Sequence, residues 1–370
     1  MVPTAILAMQ HVESFKEILE QYNIKVELLI SSITKKKKEE ILERLANGEI
    51  DIIIGTHSLL EENVTFKKLG FVVTDEQHRF GVRQRSTIVS KGENPDVLVM
   101  TATPIPRTLA LILYGDLDIS IIDELPPNRK KIETYAVTKK LEERVNRFIE
   151  KQIQEGRQAY VVCPLVEDNE EINAQSVLDL AENYKKKIFP SYRVEYLHGK
   201  MKQKEKDEIM EQFKNGEIQI LISTTVIEVG VNVPNASIMV VENAERFGLA
   251  QLHQLRGRVG RGDAQSYCIL KHQGNSEVIR QRMKVMQETN DGFVISEKDL
   301  ELRGTGEFFG TKQHGLPEFK IANLFTDMEI LKEAQALANK IIDEDFSLEK
   351  EENKRLKHMV QKKFKNRIEI

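Results

Sequence analysis

Short runs of apolar, β-branched residues alternate with segments of helical periodicity along the first third of the chain. Turn-forming residues bound each run, and the segment from Glu39 to Ala46 repeats its apolar positions at helical spacing. Continuous apolar strands separated by helices are typical of a parallel sheet that helices cover on both faces. The predicted strands are Val26–Ile30, Asp51–Ile54, Phe71–Thr74, Val97–Thr101 and Ile119–Ile122.

A proline-containing segment interrupts this alternation. Residues 123–130 read Asp-Glu-Leu-Pro-Pro-Asn-Arg-Lys, and two prolines are incompatible with a helix interior or a central strand. We interpret the segment as a linker between two α/β lobes, because the alternation resumes after it. The second lobe is predicted to contain the strands Thr134–Val137, Ala159–Cys163, Val194–Leu197, Ile218–Ser223, Ile238–Val241 and Ser266–Leu270, and the helices Leu141–Gln154, Gln175–Tyr184 and Lys202–Phe213.

Beyond about residue 275 the pattern predicts helices and no strands. One helix is expected to reach about Thr289, and a glycine-rich stretch and two further helical segments follow it. The predicted organisation is therefore a first lobe at residues 1–128, a second lobe at 129–275 and a helical region at 276–370.

Composition and charge narrow the function classes only a little. The 370 residues carry a formal net charge of -4, and nucleic-acid-binding proteins typically carry a net positive charge. Any contact with DNA therefore has to come from local basic patches. The two cysteines, Cys163 and Cys268, lie in apolar runs, and we interpret them as core thiols of a reducing compartment. No apolar run of about 18 residues and no export signal occur, so we expect a cytoplasmic protein without a membrane partner.

Two motifs follow predicted strands of the first lobe. Asp75 and Glu76 stand at the carboxyl end of a strand, where α/β sheets bind ligands. In a nucleoside triphosphatase the first carboxylate holds Mg²⁺, usually through water, and the second orients or deprotonates the attacking water. Thr101 and Thr103 follow the next strand, and their hydroxyls can relay the state of a nucleotide. Taken alone, each motif has a plainer reading, as a strand-end turn and as a loop with a helix cap.

The second lobe carries two further motifs. Residues 222–234 follow a strand and include a glycine that permits close approach of the backbone. In the segment from Gln251 to Gly262, Arg256 and Arg258 flank a glycine and Arg261 follows three residues later. Such guanidiniums can stabilise charge on a transferring γ-phosphoryl group, although a basic surface turn is the alternative.

The order of these motifs resembles that of superfamily 2 helicases and translocases. An Asp-Glu-x-His pair is followed by Thr-Ala-Thr and then by Gln-x-x-Gly-Arg-x-x-Arg in the second lobe. Residues 75–82, 101–110, 114–118 and 122–127 are more narrowly similar to the RecG branch, and the resemblance covers essentially the whole chain. RecG-like proteins are ATP-dependent DNA translocases that remodel branched DNA, including stalled forks and Holliday junctions. The resemblance implies an α/β fold of two RecA-like parallel-sheet lobes followed by a helical hairpin and a translocation motif.

The resemblance also implies a role for each motif. Asp75 and Glu76 would serve Mg²⁺ and the attacking water, and Gln254, Arg258 and Arg261 would face the γ-phosphate of ATP across a cleft between the lobes. Coupling of the nucleotide to DNA movement is expected at His78, Thr101, Thr103, Glu228 and Gly230. Contacts to the backbone of branched duplex DNA, bound by a monomer, are expected at Pro3, Thr4, Gly55, Thr56, His57, Thr224 and Thr225, because short side chains and exposed amides suit phosphate contacts that do not read sequence.

The tail adds a further resemblance. Residues 291–315 are similar to the translocation motif that RecG shares with the transcription-repair coupling factor, in which a helical hairpin and a loop turn lobe closure into steps along duplex DNA. Arg303 and Gln313 are the expected moving contacts. Two departures are notable. Asn232 replaces an aspartate common in relatives, which removes a charge but keeps a hydrogen-bonding carbonyl, and Thr305 replaces an expected proline.

No G-x-x-x-x-G-K-[ST] motif, the loop that normally cradles the β- and γ-phosphates, occurs in the sequence. Residues 1–8 resemble the segment just downstream of that loop. We therefore expect a C-terminal fragment of a RecG-like protein that also lacks the N-terminal wedge domain. The first-lobe sheet should then be incomplete and expose apolar surface, and the chain alone should bind nucleotide weakly and have negligible ATPase activity.

Two other functions stay open. A transcription-repair coupling translocase has related motifs, although the Asp-Glu-Gln-His-Arg and Asp-Glu-Leu-Pro-Pro segments argue against it, and binding to RNA polymerase would favour it. A non-catalytic DNA-binding remnant is the second alternative, and fork binding that does not respond to ATP would favour it.

Overall fold

The computed structural model describes residues 1–102, 117–124, 126, 129–164, 170–224, 233–274, 276–308 and 328–364. The chain divides into two compact units. The first comprises Met1–Ile105 and Ile122–Phe308, and the second comprises Pro106–Ile121 and Phe309–Ile370. The first unit holds two successive α/β parts, which agrees with the predicted fold class. The domain boundaries at residues 128 and 275 stay predictions.

Among the described residues, four short strands and three α-helices form the first α/β part. They are α1 (Ala5–Leu19), β1 (Val26–Leu29), α2 (Lys35–Asn47), β2 (Ile52–Gly55), β3 (Phe71–Thr74), α3 (Val82–Val89) and β4 (Asp96–Val99). Strand β1 pairs in parallel with β2, and β3 pairs in parallel with β4. Met1 and Val2 lie between the two pairs: the Val2 N–H donates to the Gly55 carbonyl and the Asp75 N–H donates to the Met1 carbonyl, each at 3.0 Å. Within the described residues these strands are therefore two pairs, and the backbone of Met1 and Val2 connects them.

The predicted strand Ile119–Ile122 is wrong. Residues 117–124 are described and contain no strand, and Ile122 is 90% exposed. A β-branched run favours an extended backbone, but a strand also needs a neighbouring strand and a surface to pack on. The exposure of these isoleucines indicates that this run has neither among the described residues.

The second α/β part is built on a six-stranded sheet in the order β5-β10-β9-β6-β8-β7, and every pairing is parallel. The two most central strands, β9 and β6, are buried along their whole length. The strands are β5 (Glu133–Val137), β6 (Gln158–Cys163), β7 (Val194–Leu197), β8 (Ile220–Thr224), β9 (Ala236–Val241) and β10 (Tyr267–Lys271). The helices are α4 (Glu142–Gln154), α5 (Glu170–Asn183), α6 (Gln203–Lys214), α7 (Leu249–Arg256), α8 (Glu277–Glu288) and α9 (Gly292–Phe308).

Successive side chains of this sheet enter two different cores, because the side chains of a strand alternate between its faces. On β6, Tyr160 and Val162 belong to one core and Val161 and Cys163 to the other. Helices α6, α7 and α8 contribute to the Tyr160 core, and α4 and α5 contribute to the Cys163 core. Helix α7, which bears the arginine motif, is therefore fixed on one face of the sheet through its leucines.

The glycine-rich stretch after Thr289 is helical from Gly292 to Phe308, the part of it that the structure describes, contrary to the sequence pattern. Helix α9 begins at Gly292 and continues through Gly304 and Gly306 to Phe308. The Asp291 carboxylate accepts a hydrogen bond from the Phe293 N–H at 2.8 Å, and Ile295 is fully buried. Capping and burial offset the roughly 1 kcal/mol that each interior glycine costs a helix.

In the second unit the structure describes the helices α10 (Met328–Glu344) and α11 (Lys354–Phe364). The Asp345 carboxylate accepts hydrogen bonds from the Glu349 and Lys350 N–H groups, each at 2.9 Å, and so fixes the turn between them. No helix among the described residues is long and apolar enough to span a bilayer.

Candidate active site

The turn that follows β3 gives the two acidic residues different environments. Glu76 has φ 50° and ψ 50°, a left-handed conformation that costs a non-glycine residue roughly 1–2 kcal/mol. A 3₁₀ turn, a buried Phe80 and Gly81 follow, and the Gln84 side chain accepts a hydrogen bond from the Gly81 N–H at 3.0 Å. As a result Glu76 is only 9% exposed, whereas Asp75 stays half-buried.

The same turn occurs after β9 of the second α/β part. Residues 242–251 read Glu-Asn-Ala-Glu-Arg-Phe-Gly-Leu-Ala-Gln, and residues 75–84 read Asp-Glu-Gln-His-Arg-Phe-Gly-Val-Arg-Gln. Asn243 has φ 49° where Glu76 has φ 50°, and the Gln251 side chain accepts from the Gly248 N–H at 3.0 Å. The local sequence Arg-Phe-Gly-x-x-Gln therefore builds a strand-to-helix turn twice, and α3 and α7 begin at equivalent points.

Asp75 is held as an anion by its neighbours. Its Oδ2 lies 3.3 Å from Nε2 of His11, and its Oδ1 accepts a hydrogen bond from the Glu76 N–H at 2.8 Å. The contact with His11 is the largest influence and lowers the pKa of Asp75, the Glu76 N–H lowers it further, and burial opposes both. An ionised carboxylate oxygen is a ligand that Mg²⁺ prefers. His11 lies 64 residues away in sequence, and no local pattern predicts this contact.

The acidic turn also touches the threonine motif. The Gln77 N–H donates to the Met100 carbonyl at 3.1 Å, and the Ala102 N–H lies 3.5 Å from Oε2 of Glu76. These contacts follow from the parallel pairing of β3 with β4, which places the ends of the two strands side by side. Thr101 is exposed beside them.

The loop after α7 carries the other predicted catalytic residues. Leu249, Leu252 and Leu255 are buried under the sheet, and residues 257–262 leave the helix through Gly260, whose φ is 79°. Arg258 is half-buried. Burial is the main cause that lowers the pKa of Arg258, the positive charge of Arg261 lowers it further, and the carboxylate of Glu76 opposes both. Glu76 and Arg258 therefore lie close enough for their charges to interact.

Two more guanidiniums join this cluster. Arg79 acts on Arg258, and Arg129 acts on Arg261; in each case the neighbouring positive charge lowers the pKa of the target. Within the described part of the chain, no side chain forms an ion pair or a hydrogen bond with Arg79, Arg258 or Arg261. The four guanidiniums thus form a series of neighbouring positive charges that meets the carboxylate of Glu76 at Arg258, and this excess of positive charge favours a polyanion.

Arg256 does not belong to this cluster, although the sequence motif groups it with the other arginines. It is only 2% exposed, and its Nη1 lies 3.3 Å from Thr134 Oγ1 and 2.9 Å from the carbonyls of Met286 and Thr289. These contacts connect α7 to β5 and to the end of α8. Arg256 is therefore a scaffold residue, and its reading as an arginine finger is wrong.

Comparisons with known proteins match almost the full length of the chain. Residues 1–112 match the family model "DEAD/DEAH box helicase", residues 139–263 match "Helicase conserved C-terminal domain", and residues 289–369 match "ATP-dependent DNA helicase RecG, domain 3, C-terminal". The ATP-dependent DNA helicase RecG of Bacillus subtilis is 53% identical over 345 residues, which are 93% of this chain and 51% of that protein. The chain belongs to the RecG family of superfamily 2 helicases.

A solved structure and a second sequence relative support the same assignment. A structure of RecG bound to a three-way DNA junction matches 90% of this chain and 43% of its own at a TM-score of 0.72 and 46% identity. RecG of Thermotoga maritima is 48% identical over 95% of this chain and 45% of that protein. A helicase named MrfA, bound to DNA, is 17% identical at a TM-score of 0.56, and shares the fold alone. The chain thus spans about half the length of the RecG proteins it matches.

The structure brings five of the predicted DNA-contact residues of this RecG-family chain together. Because Val2 is bonded to Gly55, the Pro3–Thr4 stretch lies beside Gly55–His57. Thr4 Oγ1 accepts from the Leu7 N–H at 3.3 Å at the start of α1, Thr56 is buried, and His57 is exposed. Thr224 lies at the end of β8 in the second α/β part, where it is buried and its hydroxyl has no hydrogen-bond partner among the described residues.

Several predicted residues lie outside what the structure describes. Thr103, Thr225, Glu228, Gly230 and Gln313 are not among the described residues, and only the backbone of His78 and Arg303 is described. Gln254 lies on α7, half-buried, four residues before Arg258. The roles of all these residues stay predictions.

The segment that matches the RecG-specific model contacts the arginine-bearing helix. The Leu249 N–H, at the start of α7, donates to Oδ1 of Asp299 on α9 at 3.4 Å. His253 of α7 is influenced by a hydrogen bond with the backbone of Asn290. Burial and the charge of Arg256 lower the pKa of His253 to about 4, so its imidazole is neutral at neutral pH.

Proposed function

We propose that this chain forms the motor part of an ATP-dependent DNA translocase of RecG type that acts on branched DNA. The nearness of Glu76 to Arg258 carries the proposal, because it joins an acidic strand-end pair of one α/β part to the arginine loop of the other. Nucleotide motors of this class use such a pair of opposed groups to stabilise phosphoryl transfer. The RecG relatives and the RecG structure with a three-way DNA junction support the choice of substrate.

The side chains fit a nucleoside triphosphate with Mg²⁺. Mg²⁺ is typically held by one or two carboxylates together with phosphates and water, and Asp75 offers an ionised carboxylate for this. The cluster of Arg79, Arg129, Arg258 and Arg261 matches the charge of a triphosphate. When bound, Mg²⁺ would neutralise charge on the phosphate oxygens.

The remaining steps belong to the chain's own residues. Glu76 would orient the attacking water and accept its proton. Arg258 and Arg261 would donate hydrogen bonds to the transferring phosphoryl group, and their fixed charge requires little rearrangement during reaction. Gln254, on α7 of the same α/β part as these arginines, would also face the γ-phosphate. Because the arginines and the acidic pair lie on different α/β parts, the bound nucleotide would draw these parts together.

We propose a DNA surface at the adjacent stretches Pro3–Thr4 and Gly55–His57. Further DNA contacts are proposed separately for Thr224 and Thr225 and for the tail residues Arg303 and Gln313. Contacts to phosphates would position the protein without reading sequence. The coupling residues His78, Thr101, Thr103, Glu228 and Gly230 would connect nucleotide state to this surface. We propose a monomer as the working form.

The DNA surface can be tested by fluorescence anisotropy with a labelled three-way junction and a linear duplex of equal length, at 50 and 150 mM salt. We expect the chain to bind the junction in a salt-dependent manner. His57→Glu places a negative charge at the proposed phosphate contact and should weaken binding about tenfold. The matched control is Gln175→Glu at an exposed position of α5. Equal affinities of both variants would refute the proposed surface.

Nucleotide dependence separates the proposal from its alternatives. A change in junction affinity on addition of ATP with Mg²⁺ supports a motor. Junction binding that ignores ATP would favour a non-catalytic DNA-binding protein. Capture of RNA polymerase in a pull-down would favour a transcription-repair coupling translocase.

A further inference from the structure

The segment between the two α/β parts lies directly along the arginine loop. The Arg129 Nε donates a hydrogen bond to the Gly260 carbonyl at 3.2 Å. Two residues later, the Lys131 carbonyl accepts from Nε2 of Gln265 at 2.9 Å. The segment at residues 129–131 is therefore bonded to both ends of the stretch 260–265, which follows Arg258.

Close packing against Ile132 and Pro234 also fixes the loop at residues 257–262. A Cβ added to Gly260 would come within 3.0 Å of the Ile132 side chain, and Ile132 is part of the buried core. A Cβ added to Gly262 would come within 2.4 Å of the Pro234 carbonyl. Neither glycine tolerates a side chain without movement, so the loop fits between Ile132 and Pro234. Its position is thus determined by the inter-lobe segment as much as by α7.

The guanidinium of Arg129 uses only one of its three nitrogens for hydrogen bonding within the described residues. Its Nε bonds to Gly260, but among the described residues its two Nη groups have no hydrogen-bond partner. Its positive charge acts on Arg261, and no described carboxylate pairs with either. Two unpaired guanidiniums side by side repel each other, and an anion between them would convert this repulsion into attraction.

We propose that Arg129 is a positioning residue of the triphosphate site, which holds the loop of Arg258 and Arg261 through the Gly260 carbonyl and adds its own charge to the anion-binding cluster. The inference deepens the proposed function and rests on it. It also connects the segment that joins the two α/β parts to the residues that would sense the γ-phosphate. A movement of that segment would displace Arg261 as well, because the hydrogen bond from Arg129 holds the carbonyl of the preceding residue, Gly260.

The test uses the 370-residue chain and inorganic tripolyphosphate, whose binding is measured by isothermal titration calorimetry. Arg129→Met removes both the hydrogen bond and the charge, and Arg129→Lys keeps the charge. Arg147→Met is the matched control, because Arg147 is an exposed arginine of α4 that bonds only to a carbonyl of its own helix. We expect Arg129→Met to weaken tripolyphosphate binding about tenfold, Arg129→Lys to restore part of the loss, and the control to bind like the original chain.

Two further measurements separate positioning from general damage. Amide exchange in residues 257–262 should accelerate in Arg129→Met, while the urea midpoint of the chain stays within error of the original. A lower urea midpoint with unchanged tripolyphosphate affinity would make Arg129 a structural residue only and would overturn the proposal. So would an original chain that binds no tripolyphosphate.

Failure of the inference and failure of the proposed function look different. If the chain binds the three-way junction but not tripolyphosphate, the role of Arg129 is refuted and the DNA-binding part of the function stands. If tripolyphosphate binding depends on Arg129 but the chain ignores junction DNA, the role of Arg129 is supported and a RecG-type function is not.

Discussion

Replacement of Arg256 by methionine should destabilise the second α/β part, whereas the same replacement two residues later should not. The Nη1 of Arg256 lies within 3.3 Å of three oxygen acceptors, those of Thr134, Met286 and Thr289. One NH₂ group carries two hydrogens, so we count two full hydrogen bonds from a charged donor, worth about 1.5–3 kcal/mol each. Methionine keeps most of the apolar stem.

These two hydrogen bonds together are worth roughly 3–6 kcal/mol, but the replacement also removes the desolvation penalty of a buried guanidinium, which has no carboxylate partner among the described residues. The net loss of stability is therefore smaller. We therefore expect Arg256→Met to lower the free energy of unfolding by about 2–4 kcal/mol. Among the described residues Arg258 forms no hydrogen bond that the replacement would remove, and Arg261 repels it. Arg258→Met should therefore stay within about 0.5 kcal/mol of the original chain.

The assay is urea unfolding followed by far-UV circular dichroism, since the chain contains no tryptophan. With a slope of about 2–3 kcal/mol per molar urea, the expected loss shifts the midpoint by about 1 M. Two α/β parts need not unfold together, so amide exchange of β5 and α7 should identify which part responds. Equal midpoints for the two variants, or a larger loss for Arg258→Met, would refute the division of these arginines into scaffold and site.

Three further outcomes follow from the structure. Gly260→Ala should cost about 1–2 kcal/mol more than Gly216→Ala by urea unfolding, since both positions have positive φ but only Gly260 would press a Cβ against Ile132. The free energy of unfolding should fall as the pH drops from about 6.5 to about 4, because in this range His253 is protonated in the unfolded chain but stays neutral in the folded one. His253→Gln should remove this part of the pH dependence. Both cysteine thiols, whose pKa values burial raises to about 12, should resist a disulfide reagent at pH 8 in the folded chain and react fully in urea.

The sequence predicted the second α/β part well because its sheet is buried on both faces. The predicted strand Ala159–Cys163 lies within β6, and every residue of β6 is buried. A continuous apolar run records such burial directly. The run Ile119–Ile122 has the same composition and forms no strand, because composition does not report whether a neighbouring strand exists.

Prediction of the site stopped where long-range contacts decide the role of a side chain. The acidic pair and the arginine motif are local patterns, and they identified Asp75, Glu76 and Arg258 as candidates. The contact of Arg129 with Gly260 joins residues 131 positions apart, and only the folded chain reveals it. The same limit explains Arg256, since nothing in the spacing of the motif indicates which arginine points into the core.

The repeated turn indicates what separates a candidate catalytic centre from its copy. Glu242 occupies the position of Asp75, but Lys271 donates to it at 2.7 Å and Tyr184 lies 3.3 Å from the same oxygen, so its charge is already neutralised. Asn243 occupies the position of Glu76 and cannot accept a proton from water at neutral pH. The same backbone turn therefore carries a half-buried carboxylate in one α/β part and a closed ion pair in the other. The difference lies in the partner that the surrounding fold supplies: His11 leaves Asp75 half-buried, whereas Lys271 forms an ion pair with Glu242.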